Sequence, residues 1–184
     1  MNRLRRPMRS RATLLALALL PALALGACGK THKKGEVLRE GLDAKVNGVV
    51  YTVFITRELN VRDVEDRAYY PGPEAPPGSA LYGIFLQVCN QADSFRATVR
   101  DFRVVDSQGG VFKPQPVPSD NIFAYRPRNL QPGGCIPPKG SIPADAATGG
   151  AMLLFKLPLA ATENRPLDLE INGQGERAKV ELDI

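Results

Sequence analysis

Histidine is almost missing from this chain of 184 residues: it contains one, His32, which lies near the N-terminus. From residue 33 onward, therefore, no imidazole is available as a general base or as a metal ligand. This excludes Ser-His-Asp and Cys-His nucleophile systems, His-ligated zinc and His-based acid–base catalysis from that part of the chain. A Ser-x-x-Lys motif is also absent. We therefore expect a protein that is not an enzyme.

Acidic residues are missing before Cys28, where the chain is instead basic and then apolar. Five arginines precede an apolar run at 12–25, and small residues follow it. This order is typical of a secretory signal peptide. The run is shorter than the ~20 residues of a membrane-spanning helix and contains Pro21, so a permanent transmembrane helix is the weaker interpretation. The arginines are Arg3, Arg5, Arg6, Arg9 and Arg11.

The sequence Leu25-Gly26-Ala27-Cys28 resembles the lipobox of bacterial lipoproteins. The resemblance implies cleavage between Ala27 and Cys28, a diacylglycerol thioether on Cys28, and acyl chains such as palmitate that hold the protein in the membrane. Each buried methylene contributes ~0.8 kcal/mol, and two or more chains give a stable anchor. We therefore expect a protein attached to the extracytoplasmic face of the cell membrane. The alternative is an ordinary secreted protein with a chance cysteine at this position.

The formal charge of +5 comes entirely from the predicted signal. Five of the 24 basic residues lie there, which leaves 19 basic and 19 acidic residues in the mature chain. Because nucleic-acid binding requires a basic surface, we expect no nucleic-acid partner. Lys30, Lys33 and Lys34 could contact anionic headgroups beside the anchor, or could simply belong to a solvated linker. We expect a signal at 1–27, a lipidated cysteine and linker at 28–42, and a folded domain at 43–184.

Two cysteines, Cys89 and Cys135, remain once Cys28 is lipidated. An exported compartment is usually oxidising, which favours a disulfide between them. The alternative is a pair of separate buried thiols. Two cysteines are too few for a structural zinc site, so we expect no metal and no cofactor.

Short segments with strand-like patterns dominate the mature chain. Fourteen of the 16 prolines follow Cys28 and interrupt most stretches long enough for a helix. Asn172-Gly173 predicts a hairpin turn, and broken alternation at 99–105 suggests a bulge. We expect an all-β fold, an antiparallel immunoglobulin-like β-sandwich of about seven to eight strands. The segments are 49–55, 81–88, 99–105, 111–112, 122–125, 152–157, 167–171 and 178–184.

Several motifs follow one another along the chain from residue 43 to 184. They are an opening strand at 49–55, Phe85-Leu86-Gln87-Val88-Cys89-Asn90, Phe102-Arg103-Val104-Val105-Asp106 with Gly109-Gly110, Leu130-Gln131-Pro132-Gly133, and Leu153-Leu154-Phe155-Lys156-Leu157-Pro158. In this order they resemble a family of bacterial lipoproteins and secreted antigens with an immunoglobulin-like domain of unknown function. The resemblance implies the fold and a surface location, and it carries over no catalytic residue. The chain departs from the family pattern at 135–140, where extra residues and a cysteine precede the next strand.

The longest stretch without strand signals, 58–79, contains Tyr69-Tyr70 followed by a proline-rich run. Tyrosines on a stiff loop could bind a partner at low entropic cost. Alternatively, the segment is a surface insertion whose tyrosines fold onto the sandwich.

A second candidate partner-binding segment contains Phe123, Tyr125, Arg126 and Arg128. These residue types are common at binding hot spots. The alternation of Phe123 and Tyr125 is equally typical of the core face of one strand.

Acidic side chains also occur in the 58–79 segment. Asp63, Glu65 and Asp66 could supply oxygens to calcium, but their spacing fits no standard loop. A solvated face that alternates with Arg62 and Arg67 is the favoured interpretation.

The leading functional hypothesis is a non-enzymatic module of the cell envelope that binds a protein or a small ligand. One alternative is a structural or accessory subunit of an envelope complex. Another is a carboxylate-dependent hydrolase, although no acidic pair stands out.

Overall fold

A computed structural model describes residues 36–184. The predicted signal, its cleavage site and the lipidated Cys28 lie outside the described residues. Three short helices occur: α1 (Val64–Tyr69), α2 (Ile142–Asp145) and α3 (Leu159–Thr162). The strands are β1 (Val37–Arg39), β2 (Asp43–Val46), β3 (Val49–Glu58), β4 (Ser79–Asn90), β5 (Arg96–Ala97), β6 (Asp101–Val105), β7 (Val111–Phe112), β8 (Asn129–Leu130), β9 (Cys135–Ile136), β10 (Ala151–Pro158), β11 (Asp168–Asn172) and β12 (Arg177–Glu181).

The fold is an all-β sandwich, as predicted. One sheet has the order β1-β12-β11-β6-β7, and the other has the order β10-β4-β3-β2 with β9 also paired to β4. A small third ladder joins β5 to β8. The described residues form twelve strands, more than the seven to eight expected, and seven of the twelve have four or more residues.

The strand order is of the immunoglobulin type. Strands β3, β4 and β10 correspond to A, B and E of one sheet, and β6, β11 and β12 correspond to C, F and G of the other. The pairing is antiparallel except that β1 runs parallel to β12. One difference from antibody domains is the disulfide, which joins two neighbouring strands of one sheet rather than the two sheets.

The core lies between the sheets and is built by side chains that alternate along each strand. In β4 the inward side chains are Tyr82, Ile84, Leu86 and Val88, as the pattern predicts. Alternate residues of β11 point the same way, because Leu169 and Ile171 are fully buried between half-buried neighbours. Successive side chains of a strand face opposite sides, so these positions define the inner faces.

A second apolar cluster covers the outer face of the β10-β4-β3-β2 sheet. Phe85 of β4 and Met152 and Leu154 of β10 point outward and are buried under Tyr69 and Phe123. The segment between β3 and β4, which contains α1, therefore folds onto this sheet. Both faces of β4 and β10 are buried, which explains their nearly continuous apolar sequence.

Several local predictions are wrong. Ordered structure includes β1, so residues 37–42 are not linker and the domain does not begin at 43. Segment 122–125 is not a strand and forms only a single bridge, from Ala124 to Met152. The predicted terminal hairpin is present as β11 and β12, but its turn spans 173–176 instead of Asn172-Gly173, because Asn172 pairs with Arg177.

The predicted bulge at 99–105 is not where the strand pairing becomes irregular. The register shift occurs in β3 between Val53 and Ile55, and the chain becomes regular β6 only from Asp101. Within residues 36–184, no helix is both long and apolar enough to cross a bilayer.

Candidate binding cleft

Three segments at one end of the sandwich enclose a cleft of about 750 Å³. They are the turn between β2 and β3, the segment 95–101 that leads into β6, and the turn between β11 and β12. The volume lies within the ~300–1,000 Å³ typical of small-molecule sites. Two of the three segments are loops in the B–C and F–G positions, the end of the fold that antibody variable domains use for recognition.

The two hairpin turns are locked against each other. The backbone N–H of Asn47 donates to Glu176 Oε2 at 2.6 Å. With its side-chain amide turned to satisfy both groups, Asn47 also accepts from the backbone N–H of Gln174 at 2.9 Å and donates to Gln174 O at 3.2 Å. A Cβ at Gly173 would lie 2.4 Å from Val46 Cγ1, so this close approach requires glycine.

Two buried tyrosines hold the segment 95–101 from below. The backbone N–H of Val99 donates to Tyr51 Oη at 2.7 Å, and Tyr125 Oη donates to Val99 O at 2.8 Å. Both rings pack edge-on against Phe102. Burial raises the pKa of Tyr51 to about 12 and the pKa of Tyr125 still further, so both hydroxyls remain neutral. The backbone at Val99 is thus fixed on both sides.

Asn90 and the disulfide support the same segment at its start. The buried side-chain amide of Asn90 donates to Ser94 O at 2.8 Å and to Leu130 O at 2.9 Å. The preceding residue, Cys89, is bonded to Cys135, which confirms the predicted disulfide. The disulfide of Cys89 and the hydrogen bonds of Asn90 therefore fix the end of β4, where the loop that leads to the cleft begins.

The cleft lining combines exposed cations with one exposed ring. Phe95 is 69 % exposed, and the exposed side chains of Arg96 and Arg100 form no ion pair with any residue in the described part of the chain. Arg96 crosses the β2–β3 turn, since a Cβ at Gly48 would lie 3.3 Å from its Nε. Asn172 also lines the cleft, and its buried Nδ2 has no hydrogen-bond partner. This arrangement can bind a ligand that brings acceptors.

The rings of the first sequence-predicted site lie mostly inside the protein. Tyr69 is 4 % exposed and packs edge-on against Phe85 and Phe123, with ring centroids 4.9 Å apart in both pairs. Tyr70 is half-buried beside the same cluster. The two tyrosines therefore fold onto the sandwich and cover the apolar outer face of its sheet, which is the alternative predicted for this segment and not the partner-binding surface.

In the second site predicted from the sequence, the two aromatic rings are also buried in the core. Phe123 and Tyr125 are each 8 % exposed and belong to two different core clusters. Arg126 donates to Val117 O at 3.0 Å and to Pro118 O. Arg128 donates from its backbone to Thr98 Oγ1 at 2.9 Å, next to the cleft. Tyr125 and Arg128 thus support the cleft without lining it.

The acidic residues near α1 hold that helix in place. Asp63 caps it by accepting from the backbone N–H of Glu65 at 2.8 Å. Asp66 is buried, accepts from the backbone N–H of Asn60 at 2.8 Å, and lies 2.9 Å from Arg57 Nη2. Among residues 36–184, no group of three or more histidine, cysteine, aspartate or glutamate side chains could hold a metal ion.

No family model and no curated protein match this sequence. Two solved structures are similar in shape. One is an uncharacterised β-sandwich protein from Clostridium difficile, at 12 % identity and a TM-score of 0.46, covering 84 % of this chain and 99 % of that one. The other is the yjhA protein from Bacillus subtilis, at 10 % identity and a TM-score of 0.47, covering 80 % of this chain and 100 % of that one. Similarity at this level carries no argument about function.

Proposed function

We propose that this chain is a lipid-anchored, extracytoplasmic and non-enzymatic lipoprotein whose sandwich domain binds a ligand through the cleft at 47–48, 95–101 and 172–176. The basic and apolar N-terminus followed by Leu25-Gly26-Ala27-Cys28 supports the anchor. The lack of histidine after His32 supports binding rather than histidine-dependent catalysis.

The observation that carries the binding proposal is the contrast between the floor of the cleft and its lining. The floor is fixed by the hydrogen bonds of Tyr51 and Tyr125 to Val99. The lining leaves Arg96 and Arg100 exposed and without ion pairs among the described residues. A rigid backbone lowers the entropic cost of binding, because little further ordering is needed when the ligand arrives. Exposed arginines without ion pairs among the described residues also occur outside the cleft, as at Arg67; Arg96 and Arg100 differ in lining a cleft whose floor is fixed.

The anchor is tested by expressing the full chain and the Cys28→Ser variant in a bacterial host and separating membrane from soluble fractions. We expect the parent chain in the membrane fraction, with a mass increase from acyl groups on the N-terminal cysteine. The variant should lack the acyl groups. Equal masses, apart from the single atom exchanged, would contradict lipidation.

Ligand binding is tested by NMR on the ¹⁵N-labelled full chain in detergent micelles. Benzylamine, benzyl alcohol and phenylacetate serve as cationic, neutral and anionic probes of similar size. We expect at least one probe to shift the amides of 95–101 and 172–176 in a saturable way, while the amides of α1 remain unchanged. Shifts spread equally over the domain, or no shift with any probe, would overturn the proposed site.

A further inference from the structure

We infer that the ligand of this cleft is a small organic oxyanion: a carboxylate or phosphate group bound by Arg96 and Arg100, joined to an apolar portion that contacts Phe95. This inference rests on the proposed function and specifies the chemistry of the same site. It follows from which polar groups of the lining are already engaged and which are free to bind.

The acidic side chains of the cleft already have partners. Glu176 accepts from the backbone N–H of Asn47, which ties the two hairpin turns together. Asp101 binds Arg103 through two hydrogen bonds, Nε to Oδ1 at 3.0 Å and Nη2 to Oδ2 at 2.8 Å. Asp101 is thus neutralised by Arg103, whereas Glu176 keeps its charge but forms no ion pair with Arg96 or Arg100.

The cations that remain are Arg96 and Arg100. They lie at the two ends of a short segment whose middle, Val99, is fixed by two buried tyrosines. A guanidinium presents several N–H donors in a planar fork that suits carboxylate and phosphate oxygens. Charge-assisted hydrogen bonds of this kind are about twice as strong as neutral ones.

Phe95 indicates that the ligand is more than an inorganic ion. Its ring is adjacent in sequence to Arg96 and is the most exposed of the phenylalanines in the described residues, at 69 %. Covering an exposed phenylalanine with an apolar group is favourable, by ~25 cal/mol per Å² of apolar surface removed from water. A cleft of about 750 Å³ has room for an anionic group together with such a portion.

The test is an NMR titration of the full chain with phenylphosphate, phenylacetate and benzyl alcohol, followed at the amides of 95–101. The comparison variants are Arg96→Gln and Arg100→Gln, and the matched control is Arg67→Gln. Arg67 is exposed on α1, which follows the other end of β3 from the cleft turn. Since the cleft arginines form no ion pairs with described residues, the variants should fold, which their melting temperatures check.

We expect at least one anion to bind more tightly than benzyl alcohol and each cleft variant to weaken that anion by about tenfold. Arg67→Gln should bind as the parent does. Preference for phenylphosphate or for phenylacetate identifies the anionic group. Equal binding of benzyl alcohol and both anions in the cleft, or anion binding unchanged in both arginine variants, would overturn the oxyanion while leaving the proposed binding site intact. No binding of any probe would overturn both.

Discussion

Reduction of the disulfide provides a quantitative test of how the cleft is supported. Cys89 and Cys135 are directly opposed in the β4–β9 pairing and are 46 residues apart in sequence. A cross-link of that length lowers the entropy of the unfolded chain by an amount worth about 4 kcal/mol. For a domain of this size each kcal/mol shifts the melting temperature by roughly 2–4 °C, so reduction should lower it by ~8–16 °C.

The reduced protein should nevertheless remain folded at room temperature. Asn90 keeps its hydrogen bonds to the backbone around Gly133 and Gly134 without the cross-link, and the main core is unaffected. The assay is thermal unfolding by circular dichroism with and without a phosphine reductant, with thiol counting to prove reduction. The double variant Cys89→Ala, Cys135→Ala should melt at the temperature of the reduced protein, and the reductant should not change that temperature. A fully reduced protein that melts within about 2 °C of the oxidised one would refute the reasoning.

Three further predictions concern buried polar groups. Tyr125→Phe leaves Val99 O without its donor and should lower the free energy of unfolding by ~1–3 kcal/mol, as measured in urea. An unchanged unfolding midpoint would contradict the role of Tyr125 in fixing Val99. Burial raises the pKa of Tyr51 from 10 to about 12, so the protonated form favours folding and Tyr51 should contribute a loss of about 2 kcal/mol of stability between pH 9 and pH 12. Urea unfolding at these two pH values measures the loss. Tyr51→Phe should reduce it without abolishing it, because burial also raises the pKa of Tyr125, and an unchanged loss would contradict the contribution of Tyr51. Burial also raises the pKa of Asp168 despite the nearby Lys179, so Asp168→Asn should stabilise the fold at pH 7 by less than ~1 kcal/mol. Near pH 3 the carboxyl is protonated in both the folded and unfolded states, so the variant should then melt at the same temperature as the parent. A higher melting temperature of the variant that persists at pH 3 would refute the assignment.

The strands that could be predicted from the sequence are those whose burial leaves a local pattern. Strand β4 has apolar residues at every second position from Tyr82 to Val88, and polar and apolar residues alternate along both strands of the terminal hairpin. Strand β1 could not be found in this way, because it has three residues and pairs in parallel with β12 at the far end of the chain. Its stability depends on a partner that no local window contains.

The candidate site was harder to predict, since burial and binding favour the same aromatic residue types. Tyr69 and Phe123 have the composition of a hot spot, yet they cover the apolar outer face of a sheet. The continuous run Met152-Leu153-Leu154-Phe155 indicates that face, because a strand exposed on one side would alternate. The cleft itself depends on contacts such as Asn47 to Glu176, 129 residues apart, which no sequence spacing reveals.

The central proposal is that the cleft at 47–48, 95–101 and 172–176 binds a ligand in the cell. The most direct measurement replaces Phe95 with a photoreactive phenylalanine analogue in the anchored protein, irradiates intact cells, and determines the intact mass of the recovered chain. The control places the same analogue at Val64, which is 86 % exposed on α1. We predict a discrete added mass at position 95 that is absent at position 64. The same products at both positions, or no adduct at position 95, would contradict the account.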